Sequence, residues 1–91
     1  MPKSSDPAMI PVERIQTGVR LEKRLVKVLK ALAEQKDLTL GDLLEGIVLH
    51  AFEGRPAFGP DTLELISQLK RIYGLKLNAD TSHQLTDRKN E

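Results

Sequence analysis

The chain contains no cysteine and no tryptophan, and aromatic residues make up only 3% of its 91 residues. The absence of thiols excludes disulfide staples and thiolate metal sites. The scarcity of rings means that any core must be built from Leu, Val, Ile and Ala. No apolar run reaches the length that a bilayer requires and no signal-peptide pattern is present, so a soluble, cytoplasmic protein with no membrane partner is expected. A surplus of charge is missing too: 14 Lys and Arg stand against 13 Asp and Glu, a formal net charge of +1.

That balance conceals a division along the chain. Between Arg14 and Lys30 lie six cations (Arg14, Arg20, Lys23, Arg24, Lys27, Lys30) and one anion, Glu22. Between Glu34 and Glu53 lie five anions and one cation, Lys36. Positive charge gathered in one segment suits a polyanionic partner. At 91 residues the chain has room for one small domain with tails, near the size at which a single core is marginal and association of copies is a common remedy.

Residues 1–13 carry three prolines and two serines without an apolar period and read as a flexible arm. The next stretch, "RIQTGVRL" from Arg14 to Leu21, alternates polar and apolar side chains, the period-two signature of a strand with one wet and one dry face. It stands alone. A single strand cannot satisfy its own backbone groups, and its readiest partner is the same strand of a second copy, paired antiparallel about a two-fold axis. Ile15, Val19 and Leu21, with Thr17 less comfortably, would then face inward, and Arg14, Gln16, Gly18 and Arg20 outward.

Helical periodicity follows. From Glu22 to about Gln35, Leu25, Val28, Leu29, Leu32 and Ala33 share one face, with Lys23, Lys27, Lys30 and Glu34 opposite. "KDLTLGD" breaks this helix and starts another: Thr39 is a natural N-cap, Asp42 supplies the acidic half of a capping-box pattern, and Leu40, Leu43, Leu44, Ile47, Val48, Ala51 and Phe52 recur at helical spacing until Gly54. Residues 14–54 form the expected core and 55–60 a Gly/Pro-rich linker. Asp61 is expected to cap a third helix over 61–76, striped with Leu65, Ile66, Leu69, Ile72 and Tyr73, with Gly74 as a stop. The polar tail, 77–91, reads as disordered. The fold class is mainly α, with one N-terminal strand.

Chemistry-bearing patterns are few. Neither His50 nor His83 has a second ligand at metal spacing, and no nucleophile–base pair or phosphate-cradling loop is present. His50 reads as structural. Catalytic residues, metal ligands and cofactors are therefore not expected, and neither is an enzyme.

A lone alternating strand, an immediately following helix "EKRLVKVLKALAEQ", a short turn "KDL" and the helix "TLGDLLEGIVLHAF" together resemble the ribbon-helix-helix DNA-binding proteins of the Arc, MetJ and CopG type. The resemblance covers Arg14 to Phe52 and rests on spacing and polarity more than on fixed letters. It implies a homodimer whose two-stranded ribbon enters the major groove of double-stranded DNA at a palindromic operator, as a repressor does. It further implies that Gln16, Gly18 and Arg20 read bases. The backbone N–H groups of Thr39, Leu40 and Gly41 would clamp a phosphate, with Arg14 and Lys23 beside them. Lys27 and Lys30 are either a wet helix face or further phosphate contacts. Two features depart from the family pattern: Gly18 has no side chain to read with, and Glu22 places an anion near the phosphates. The third helix would extend the dimer interface, join dimers on DNA, or hold a protein partner as antitoxins do. The rival reading is an interaction module that keeps the dimer and has lost DNA binding.

Overall fold

Three amphipathic stripes become three helices in the computed structural model of the chain, which describes residues 9–88. Helix α1 spans Lys23–Gln35, α2 Leu40–Phe52 and α3 Pro60–Tyr73, and a 3-10 turn follows at Ala79–Thr81. The chain is mainly helical. None of the helices among the described residues is long and apolar enough to cross a membrane. Residues 1–8 of the expected arm and 89–91 of the expected tail lie outside the described residues.

Each helix begins on a different device. The Glu22 carboxylate caps α1 by accepting from the Leu25 N–H at 2.8 Å. Thr39 caps α2, its hydroxyl accepting from the Asp42 N–H at 3.0 Å. The reciprocal bond of a capping box, from the Thr39 N–H to the Asp42 carboxylate, is not among those of the described residues. Asp61 does not cap α3; Gly59 occupies that position and Pro60 is the first helical residue. The reason is geometric. Proline's fixed φ suits the first turn and it has no N–H to leave unsatisfied, so the helix starts one residue earlier than expected and Asp61 falls inside the first turn, where its charge favours the positive end of the dipole.

All three helices stop in the same way. An N–H two or three residues past the end bonds back across five residues, from Leu38 to the Ala33 carbonyl, from Arg55 to that of His50 and from Leu75 to that of Lys70, each at 2.9 Å. The residue before each bond lies in the left-handed region: Asp37 at φ +58°, Gly54 at +68° and Gly74 at +70°. These are Schellman closures, for which glycine is the natural residue. Gly74 ends α3 at Tyr73, three residues short of the expected 76, and turns Leu75 into the core.

Packing follows the stripes of α1 and α3. Val28, Leu32 and Ala33 of α1, Leu43 of α2, Leu69 of α3 and Leu75 are the buried apolar residues, and Leu32 is the most enclosed at 2% exposure. Leu25, Leu29, Ile47, Phe58, Leu65, Ile66, Tyr73 and Leu77 pack around them. Helix α1 is central: α2 lies against it and so does α3, whereas α2 and α3 do not pack on each other. Lys36, just past the end of α1, donates to the buried Thr62 hydroxyl near the start of α3 at 2.6 Å. Arg24, near the start of α1, approaches Gly74 at the end of α3. The two helices therefore run antiparallel.

Candidate nucleic-acid interface

The expected strand over residues 14–21 is not formed among the described residues. A strand exists only as part of a ladder, and the described residues of one copy offer no other strand to pair with. The segment is non-helical and exposed throughout. Its intended dry face is wet, with Ile15 81% and Val19 72% exposed. Gly18 lies in the ordinary negative-φ region, and a Cβ placed there would meet nothing. Backbone geometry within one copy does not require this glycine.

The segment's two arginines are engaged within the chain. Arg14 grips Glu45 of α2 with both arms of its guanidinium, Nε donating to Oε2 at 2.8 Å and Nη2 to Oε1 at 2.9 Å. This fork holds the Glu45 carboxyl below its ordinary value. Arg20 pairs with Asp87 in the C-terminal tail. Both pairs are exposed to solvent, where such bonds are weak. Gln16 is exposed and makes no side-chain hydrogen bond among the described residues.

Lys23 opens α1 and is exposed, directly after Glu22. The Glu22 carboxyl is itself held below its ordinary value, chiefly by accepting from the Leu25 N–H, and further by the Arg24 N–H and the nearby charges of Arg24 and Arg88. Much of the charge that departs from the family pattern is thus directed at the helix end. At the start of α2 the Thr39 hydroxyl takes the Asp42 N–H and the Thr39 carbonyl takes that of Leu43, while the N–H groups of Leu40 and Gly41 have no hydrogen bond among the described residues. These are two of the orphan donors that every helix start presents, and they suit an anion. Asp42 opposes one by placing a negative charge in the same turn.

His50 makes a local bond. The Nδ1–H of His50 donates to the Gly46 carbonyl at 2.7 Å, one turn back along α2. Among the described residues no three His, Asp or Glu side chains gather as a metal site would require.

The grouping that periodicity could not reveal lies between the start of α1, the end of α3 and the tail. There Arg20, Lys23, Arg24 and Lys27 face Asp87 and Arg88 across a cleft of about 930 Å³. The α1 cations are a visible run in the sequence. Their meeting with residues more than 60 positions away is a product of the antiparallel return of α3. No family model matches the chain, and no curated protein or solved structure does either.

Proposed function

We propose that the chain acts in the cytoplasm as a homodimeric ribbon-helix-helix regulator, a non-enzymatic repressor that inserts paired 14–21 strands into the major groove of a palindromic operator. One observation carries this reading. A period-two segment with no strand partner among the described residues exposes its apolar face beside a two-helix unit that also exposes Val48, Leu49 and Phe52. A second copy offers both the missing ladder and the missing cover. In the dimer Gln16 and Arg20 of each chain would face base edges, where Gln suits adenine and Arg suits guanine, with Gly18 allowing close approach. The start of α2 at Thr39, Leu40 and Gly41 would take a phosphate, flanked by Arg14 and Lys23. Arg14 must leave Glu45 and Arg20 must leave Asp87, a small cost because both pairs are exposed.

The in-chain capture of both arginines also favours a second reading, a dimeric interaction module in which these cations serve intramolecular contacts and the exposed Leu63 and Ile72 of α3 meet a protein partner. Salt separates the two. Two copies of Arg14 and Lys23 and two α2 starts give about four to six phosphate contacts, so affinity for duplex should fall roughly 10²- to 10³-fold between about 50 and 200 mM salt. Fluorescence anisotropy with labelled duplex measures this, and sedimentation at micromolar concentration measures the dimer. A folded monomer, or no duplex binding at the lower salt, rejects the repressor.

A further inference from the structure

The cleft closed by the C-terminal tail carries more charge than the ribbon and helix-start contacts use. Five cations line it, Arg20, Lys23, Arg24, Lys27 and Arg88, against two carboxylates. Those two carboxylates are not equivalent. Glu22 is committed to the start of α1 through the Leu25 N–H. Asp87 has no such structural bond; it lies on Arg20, in the place an external anion would take. Both Arg20 and Asp87 are largely exposed, so their pairing is open to competition from solvent and from other anions.

We infer that this cleft is a second backbone site for duplex DNA, taking a phosphodiester group beside the ribbon, and that Asp87 is an intramolecular stand-in for that phosphate which must be displaced on binding. The inference rests on the DNA-binding reading and adds to it Arg24, Lys27 and Arg88 as phosphate contacts and the tail as a competitor. Lys23 and Lys27 lie one turn apart on the same face of α1, so neither has to leave the helix surface to meet a backbone running past it. Arg88 comes from the opposite wall, so the cleft grips from two sides only while the tail is in place. Binding and inhibition therefore belong to one segment: Arg88 attracts the backbone, while Asp87 places a carboxylate in the cleft the phosphate must enter and holds Arg20, which has to leave it to reach the bases.

The test uses the full-length protein and a labelled mixed-sequence duplex of about two helical turns, with affinity followed across salt. Lys27→Gln and Arg88→Gln are each expected to flatten the slope of log affinity against log salt by about 0.9 per site lost on each chain. Arg55→Gln, which removes a cation outside the cleft, should leave the slope unchanged. Asp87→Asn should tighten binding by about two- to fivefold, the worth of an exposed ion pair. Asp80→Asn, an identical charge change in the tail but outside the cleft, should not. Wild-type slopes in Lys27→Gln and Arg88→Gln overturn the cleft site while leaving the ribbon reading in place. So does equal tightening by Asp87→Asn and Asp80→Asn, which would reduce the effect to net charge. If the wild-type protein binds no duplex at low salt, the ribbon reading itself has failed and the cleft site falls with it.

Discussion

Leu69→Ala and Ile72→Ala truncate two aliphatic side chains three residues apart on the same helix, and the structure assigns them opposite consequences. Leu69 is 8% exposed in the seam between α3 and α1, whereas Ile72 is 71% exposed on the outer side. Removing three carbon groups from Leu69 forfeits about 2.4 kcal/mol of transfer free energy at ~0.8 per group. The cavity left behind adds to this, and the measured range for such truncations is about 2.7–5.0 kcal/mol. Six apolar residues are buried among the described residues, a core small enough for its rim to relax, and a cost of about 3 kcal/mol is expected. Against a total of about 5–14 kcal/mol for a chain of this size, that is a large fraction. It corresponds to a fall in Tm of roughly 12–24 °C at ~4–8 °C per kcal/mol. Ile72→Ala should cost less than about 0.5 kcal/mol. Urea and thermal unfolding followed by circular dichroism at several protein concentrations would measure both. A Leu69→Ala cost below about 1 kcal/mol would refute the packing of α3 on α1. A large, concentration-dependent cost for Ile72→Ala would show that another copy covers the outer face.

Three further outcomes follow from local geometry. Asp37→Gly should stabilise the protein by about 0.5–1 kcal/mol, because glycine relieves the left-handed φ of +58° that closes α1; a lower urea midpoint would contradict the Schellman assignment. Gly46→Ala should add about 0.5–1 kcal/mol, since a Cβ there meets nothing within the chain; a loss instead would place a second chain's backbone against α2 at that point. The Glu22 carboxyl is lowered in the folded chain from an ordinary value of 4.5. Its contribution is therefore present above that ordinary value and disappears as pH falls through the lowered one. Glu22→Gln should lower stability modestly at neutral pH and leave it nearly unchanged in acid, which flattens the acid limb between those two values; an unchanged acid limb would refute the cap.

Gly46 and Leu49 show where reading along the chain misleads. A helix-weakening glycine beside an outward Leu suggests that another element approaches α2 closely there, and the third-helix stripe asks for cover from a core helix of its own or a partner chain. In the structure α3 lies on α1, and Leu49 is exposed. The alternative was invisible to periodicity because α1 has apolar side chains enough for two neighbours: Val28, Leu32 and Ala33 are all buried, and Leu25 and Leu29 pack at the edges. A stripe reveals that a face is covered and says nothing about which helix covers it. Phe58 likewise falls in the Gly/Pro-rich linker over 55–60, yet it packs against the core.

Three helices and the local devices that start α2 and close α2 and α3 are legible along the chain, whereas the start of α3 at Pro60 and the absence of an ordered strand over 14–21 are not. Apolar spacing set the three helical stripes, Thr39 started α2, and Gly54 and Gly74 closed α2 and α3 at the points where only a left-handed residue completes the terminal bonds. These are local effects, decided within one or two turns of chain, and so they are legible in order along it. Tertiary structure alone decided that α3 returns antiparallel to α1, that Arg14 meets Glu45 across 31 residues, and that Asp87 and Arg88 come to lie over the start of α1. Those outcomes depend on which apolar faces bury most surface together. Burial is non-directional and carries no mark of sequence distance, so the charges it brings together become partners only once the helices are packed.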